Sequence, residues 1–186
     1  MNRENLDALI QSFGVACANI DSVLEKLNTY GQEIVDEVSD TEDTQETCGA
    51  AIMRAVTNTG EARHYAVAMN LHDPKKYDPK RFRLPLTLLR SQIIAMQTAF
   101  DEAQDETGMD DRLDFIEKAI RQATFAKRNC DDIYTALTTM SVVSNNKGNN
   151  KVNNKVNNKG GSRKHKKRTL RKRHAKRTLR KQRSRK

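Results

Sequence analysis

The sequence predicts an all-α protein: an antiparallel four-helix bundle followed by a disordered basic C-terminal tail. Four segments repeat apolar residues in steps of three and four, which is the period of a helix with one buried face. No long segment alternates with the period of two expected for a strand. After Val143 the apolar pattern stops and a polar, then basic, composition replaces it. A coiled-coil dimer built from the first helix is the alternative.

The first helix is predicted by an apolar stripe with alternating steps of four and three. Its members are Leu6, Ile10, Phe13, Cys17, Ile20, Leu24 and Leu27. Gly31 can end this helix, because glycine is favoured just after a helix C-terminus. Ile34 and Val38 continue the same register, so a longer helix that passes through Gly31 is the alternative.

The second helix is predicted from about Thr47 to Asn70, with a small, alanine-rich inner face. That face comprises Ile52, Val56, Thr59, Ala62, Ala66 and Met69. Before it, the run from Glu33 to Glu46 carries seven acids and no base. Within the run, Ser39-x-x-Glu42 and Asp43-x-x-Glu46 resemble capping boxes that start helices.

A polar, basic connection from Asp73 to Pro85 separates the second and third helices. Pro85 is expected at the first position of the third helix, where its missing N–H costs nothing. The apolar stripe of that helix comprises Leu86, Leu89, Ile93, Met96, Phe100 and Ala103. Thr107-Gly108 precedes the fourth helix. Its stripe comprises Leu113, Ile116, Ile120, Ala123, Cys130, Ile133, Leu137 and Met140.

Charge divides the chain more sharply than its formal net charge of +10 suggests. Residues 147–186 contain 19 basic residues and no acid, which leaves a net charge of −9 for the first 146 residues. We therefore expect an acidic helical domain over 1–143. Four Asn-Asn-Lys repeats predict a flexible linker over 144–162, and an Arg/Lys-rich disordered tail follows over 163–186.

The tail indicates a polyanionic partner, because 15 of its 24 residues are Lys or Arg. We expect a non-enzymatic adaptor that binds DNA or RNA, without sequence specificity because the tail has no aromatic residue to stack on bases. The predicted nucleic-acid-binding residues are Arg163, Lys164, Lys166, Lys167, Arg168, Arg171, Lys172, Arg173, Lys176, Arg177, Arg180, Lys181, Arg183, Arg185 and Lys186. Two alternatives are a structural or minor virion protein anchored by its tail to genome or to an acidic partner, and a tail that serves only as a nuclear localisation signal.

No enzyme, cofactor or metal site is expected. Glu61 and His64 have the spacing of a di-iron half-site, but a second such pair is missing from the sequence. Cys48 near a helix start can favour a thiolate but has no evident base. The acidic run lacks the central glycine of an EF-hand loop. The basic connection, with Tyr77 and Phe82 interleaved, is either an accessory nucleic-acid contact or a solvated loop with its aromatic rings against the bundle.

The three cysteines are odd in number and widely spaced, so no disulfide framework is predicted, and Cys17 and Cys130 are expected as unpaired small core residues. This cysteine use is typical of a reducing compartment. The N-terminus contains no secretory signal, and no stretch approaches the ~20 apolar residues of a membrane span. These features predict a soluble intracellular protein, able to form homo-oligomers through its helical body.

The segment Gly160 to Lys186 resembles the tails of many uncharacterised proteins of nucleocytoplasmic large DNA viruses, the giant viruses. The resemblance comprises Gly-Gly-Ser followed by an Arg/Lys run with interspersed Thr, His and Leu. It implies a virion, viral-factory or nuclear setting and no activity. It does not extend into residues 1–143.

Overall fold

The computed structural model describes residues 3–36 and 41–156, with side chains described as far as Val143. It contains four helices: α1 (Arg3–Val35), α2 (Glu42–Ala68), α3 (Arg83–Asp105) and α4 (Met109–Val156). Within these ranges there is no strand. The all-α four-helix prediction is confirmed.

Successive helices run in opposite directions around the bundle. Cys17 of α1 lies opposite Cys130 of α4, and Gly31 lies opposite Ile116, so residue numbers rise along α1 as they fall along α4. The same reversal relates α2 to α3 and α3 to α4. The pairs that show it are Arg63 with Leu86, Gly49 with Phe100, Gln92 with Asn129, and Glu102 with Lys118. The result is an up-down-up-down bundle, in which a longer connection, 69–82, joins α2 to α3.

One apolar core occupies the centre of the bundle and draws on every helix. Its largest fully buried side chains include Phe13, Ile20, Leu27, Tyr30 and Phe100. Burying a side chain of this size contributes roughly 1.5–3 kcal/mol. On α2 the buried face is mostly alanine, as predicted; its buried residues are Cys48, Ala51, Ile52, Ala55, Thr59, Ala62 and Ala66. Small side chains let the neighbouring helices approach α2 closely.

Gly31 lies inside α1 and does not end it. The helix passes through Gly31 to Val35, so the longer of the two predicted helices is correct as far as Val35, and Val38 lies outside the described residues. A Cβ atom at Gly31 would stand 3.3 Å from the Cγ2 atom of Ile116 on α4. Glycine therefore serves a close approach of α1 and α4 here, rather than a helix end.

The limits of α2 differ from the predicted ones at the amino end. The helix begins at Glu42 with Thr41 as its N-cap, and no side chain caps it, so the capping box assigned to Asp43 is wrong. The other proposed box begins at Ser39, outside the described residues. At the carboxyl end, Asn70 adopts a left-handed conformation with φ of 58°, and the N–H of Leu71 donates to the carbonyl of Ala66. This is a Schellman motif, in which asparagine replaces the more usual glycine.

The third helix begins two residues before Pro85, at Arg83. Pro85 still lies in the first turn, where backbone N–H groups have no partner within the helix.

The fourth helix extends further than expected, since its backbone continues through 144–156, the first part of the predicted linker. Extending an existing helix is much easier than nucleating one, which explains helix over a segment without an apolar face. The rest of the predicted linker and the tail lie outside the described residues. The chain divides into two units, Met1–Val142 and Val143–Lys186. All core residues, from Leu6 to Leu137, belong to the first unit.

Candidate nucleic-acid interface

The predicted nucleic-acid-binding residues of the tail, 163–186, lie outside the part of the chain that the structure describes. Their role stays a prediction. The described residues nevertheless contain a second concentration of positive charge, in the connection between α2 and α3 and along the start of α3.

Residues 73–82, here called the twin turn, are two consecutive turns of the same design, Asp-Pro-Lys-Lys-Tyr and Asp-Pro-Lys-Arg-Phe. In the first, Oδ1 of Asp73 accepts a hydrogen bond from the backbone N–H of Lys75 at 2.8 Å. In the second, Oδ1 of Asp78 accepts from the N–H of Lys80 at 3.0 Å. These Asx turns hold the backbone at each bend. Both carboxylates of the connection are therefore bonded to the backbone.

The aromatic residue that ends each turn faces the bundle. Phe82 is 2% exposed, and Tyr77 packs against the core with its ring edge-to-face on Phe82, with 5.6 Å between centroids. The prediction of an accessory contact with exposed, stacking aromatics is therefore wrong for Phe82, and the alternative of rings packed against the bundle is correct. The rings anchor the twin turn.

The basic residues of the twin turn face solvent. Lys75, Lys76, Lys80 and Arg81 are all exposed, and none of them forms an ion pair with another described residue. The two turns share a five-residue repeat, so each residue type occupies the same position in both turns. In each turn the aromatic residue therefore faces the bundle and the cations face solvent. The turn thus presents four positive charges on an anchored backbone.

Three arginines extend this positive surface onto α2 and α3. Nε of Arg63 donates to the carbonyl of Leu86 at 3.1 Å, which brings the end of α2 to the start of α3. Burial lowers the pKa of Arg63, and the positive charge of nearby Arg90 lowers it further. Arg83 and Arg90 are seven residues apart, about two helical turns, and so share one side of α3. We call the four twin-turn cations together with Arg63, Arg83 and Arg90 the basic face.

The opposite end of the bundle is acidic. Residues 101–117 carry eight acids and one base, and the described parts of the predicted acidic run, 33–36 and 41–46, lie at the same end. Arg112 at the start of α4 links the two, since its Nη2 donates to Oε1 of Gln45 at 2.9 Å. We call these two segments the acidic end. Folding therefore separates charge along the bundle axis, and a polyanion is repelled from one end.

A partly buried polar cluster joins the helices at the acidic end. The hydroxyl of Tyr30 donates to Oε1 of Gln45 at 3.0 Å, and the guanidinium of Arg112 lies 5.6 Å from the centre of the Tyr30 ring. Burial raises the pKa of Tyr30, while the charge of Arg112 opposes the increase. Glu33 accepts from the hydroxyl of Thr44 at 3.0 Å. These contacts join α1, α2 and α4.

The cysteines contradict the sequence prediction. Cys17 and Cys130 form a disulfide between α1 and α4, with Cα atoms 5.7 Å apart. Both are core residues, as expected, but they are not unpaired. They are 113 residues apart in sequence, and the antiparallel register of the two helices places them opposite each other. The sequence argument for a reducing compartment, which assumed unpaired cysteines, no longer holds.

Cys48 is the free cysteine, and its surroundings do not favour a thiolate. Since α2 begins at Glu42, Cys48 lies almost two turns inside the helix instead of at its start. Burial raises the pKa of its thiol to about 12. The hypothesis of an activated thiolate at a helix N-terminus is therefore wrong.

The described residues offer no group of three His, Cys, Asp or Glu side chains that could hold a metal ion. His64 is exposed, as is Glu61 beside it on α2. Glu61 and Tyr65 line a groove of about 380 Å³ between α1 and α2, whose lining contains no cation, histidine or cysteine. The groove therefore has no positive charge to attract a phosphate, and the carboxylate of Glu61 would repel one.

No helix within 3–36 and 41–156 is both long enough and apolar enough to cross a membrane. Comparison of the chain with protein-family models, with curated proteins and with solved structures gives no match.

Proposed function

We propose that this protein is a non-enzymatic helical adaptor that binds DNA or RNA without sequence preference through its basic tail. One observation carries the proposal: 15 of the 24 residues from 163 to 186 are Lys or Arg, and none is acidic. A segment of this composition repels itself and is attracted to any dense array of phosphates. Arginine adds a planar fork that matches two phosphate oxygens at once.

Counterion release would supply most of the binding free energy. Each phosphate neutralised on duplex DNA changes the slope of log affinity against log salt by about −0.9. If eight tail cations contact phosphates together, the slope is near −7. The acidic end opposes binding to the rest of the bundle surface. Nucleic acid is thereby directed to the tail and to whichever part of the bundle is positive.

Removing the tail tests the proposal. Truncation after Val143 leaves every core residue in place, since the core ends at Leu137, so the bundle should fold without the tail. Circular dichroism checks that it does. Affinity for a duplex, a single strand and an RNA would be measured by fluorescence anisotropy from about 50 to 200 mM salt. We expect truncation to weaken binding by about 100-fold or more and to reduce the salt slope.

Two full-length variants separate charge from sequence in the tail. Replacing its 15 Lys and Arg residues by Gln should weaken binding as much as truncation does. A shuffled tail of unchanged composition should keep the original affinity, because the attraction depends on charge density. Full affinity in the truncated or the neutralised protein would refute the proposal. Loss of affinity in the shuffled protein would refute the absence of sequence dependence.

A further inference from the structure

We infer that the basic face of the bundle is a second, tail-independent contact for the phosphate backbone of a nucleic acid. The inference shares its class of partner with the proposed function but involves different residues. It rests on the geometry of the twin turn and of the arginines next to it.

The first argument is that the backbone that carries the cations of the twin turn is held in place. Each Asx hydrogen bond fixes a bend, and the rings of Tyr77 and Phe82 fix the connection to the core. A mobile loop would lose more conformational entropy on binding than this anchored one.

The second argument is that the charge of the basic face is not neutralised within the protein. Asp73 and Asp78 accept backbone hydrogen bonds inside the turns, and their two negative charges still leave the seven cations of the basic face an excess of five positive charges. On α3, the positions three and four residues from Arg90 are Thr87, Leu86, Ile93 and Ile94, none of which is acidic. Arg63 and Arg90 approach each other with no ion-pair partner among the described carboxylates. A bound anion would relieve this repulsion, and a phosphate matches the guanidinium fork.

The third argument is the length of the surface. Arg83 and Arg90 are about 10 Å apart along α3, at 1.5 Å per residue. Phosphates advance by about 3.4 Å along the axis for each nucleotide of one strand. The arginines of α3 therefore span about three phosphates, and the twin turn extends the contact beyond them.

A membrane surface fits these residues less well. Interfacial binding needs apolar side chains that enter the lipid next to the cations. The aromatic rings of the twin turn face the core instead. The exposed residues Leu84 and Leu88 are rotated by about 100° or more around α3 from Arg83 and Arg90, at 100° per residue. The third exposed apolar residue of α3, Ile94, lies on the side of Arg90, so the cations have one apolar neighbour on this helix instead of a continuous apolar strip.

The test compares full-length proteins in which the tail is either original or neutralised and the bundle carries either the basic-face substitutions or control substitutions. The basic-face variant carries Lys76→Gln, Lys80→Gln, Arg83→Gln and Arg90→Gln. These exposed side chains leave the Asx turns and the aromatic anchors intact. A matched control removes the same charge elsewhere on the bundle, with Lys26→Gln, Arg54→Gln, Arg121→Gln and Arg128→Gln. Each set is made with the original tail and with the Gln-neutralised tail, and the probe is a short duplex DNA.

With the neutralised tail, we expect the basic-face variant to bind the duplex at least about tenfold more weakly than the control, with a salt slope shallower by about three to four units. In the ¹⁵N NMR spectrum, adding duplex should shift the amides of residues 73–90 and leave those of 101–117 unchanged. Equal binding by variant and control, or shifts centred elsewhere, would overturn the inference. Binding of the neutralised-tail protein to anionic vesicles but not to DNA would overturn it as well.

The two proposals fail separately in this design. If the tail proposal is wrong, neutralising the tail has no effect on affinity whichever face is present. If the basic-face inference is wrong, the basic-face variant and its control are indistinguishable in the neutralised-tail background, whatever the tail contributes.

Discussion

Breaking the Cys17–Cys130 disulfide should destabilise the bundle strongly while leaving its architecture intact. The bond joins α1 to α4 and closes a loop of 113 residues. Applied to a loop of that length, the chain-entropy expression gives about 5 kcal/mol at 25 °C, and measured disulfides typically contribute about 2–4 kcal/mol. We therefore expect reduction to lower the free energy of unfolding by about 3–5 kcal/mol.

Reduction should add no second penalty from an unsatisfied thiol. Sγ of Cys130 lies 3.7 Å from the carbonyl oxygen of Phe13, so the reduced thiol has an acceptor within reach. Cys17 lies at the edge of the same core with 7% of its surface exposed. The expected decrease in stability therefore comes from the greater conformational freedom of the unfolded chain once the disulfide is broken. For a domain of this size it corresponds to a fall in Tm of roughly 10–20 °C.

Urea unfolding followed by circular dichroism, with and without a reducing agent, measures this difference. The control is the Cys17→Ala, Cys130→Ala double variant, whose midpoint should not respond to the reducing agent. Thiol titration of the unfolded, unreduced protein should find one free thiol, Cys48, and three after reduction. Three thiols before reduction, or a loss below about 1 kcal/mol, would refute the reasoning.

Three further predictions concern single side chains. Gly60→Ala should stabilise α2 by about 0.5–1 kcal/mol, because no atom stands within 4 Å of the new Cβ. Gly31→Ala should stabilise the protein less, or destabilise it, since its Cβ would lie 3.3 Å from Ile116. Equal increases in the free energy of unfolding in urea would contradict this. The raised pKa of Cys48, about 12, keeps its thiol protonated in the folded protein after the unfolded thiol ionises near pH 9. The stability from the neutral thiol is therefore complete below pH 9 and lost as the pH rises toward 12, and Cys48→Ala should lack this component of the pH profile. Tyr30→Phe should lower the free energy of unfolding in urea by about 1 kcal/mol, because it removes one hydrogen bond to Gln45 while Arg112 still donates to the same side chain. A decrease above about 3 kcal/mol would contradict this.

The helices could be predicted because their signals are local. A step of three or four residues between apolar side chains places them on one side of a helix regardless of what covers that side. Core residues such as Phe13 and Ile93 are buried as their stripes predicted. Helix ends were predicted less well. Glycine often follows the end of a helix, so Gly31 was a candidate end of α1, but it lies inside the helix at a close contact with α4.

The basic connection shows the limit of local signals within the candidate site. Composition identified its cations, but the same composition allows its aromatic rings to face either solvent or core. Burial of Phe82 excludes the stacking role, because the ring gains more by leaving water than it would gain exposed on a loop. Arg83 was already part of the predicted connection, but Arg63 and Arg90 were not associated with it, since they are 27 residues apart in sequence and lie on different helices. A search for the Asp-Pro-Lys repeat would have found the twin turn.

Composition and periodicity alone therefore determined the helical class, the apolar faces and the separation of an acidic domain from a basic tail. Each of these properties depends on residues that are close together in the chain. Three other properties required the packed bundle: the pairing of Cys17 with Cys130, the gathering of two acidic segments at one end, and the basic face at the other. They depend on the register and order of the helices, which are set by how four apolar surfaces pack together. No short segment of the sequence contains that information.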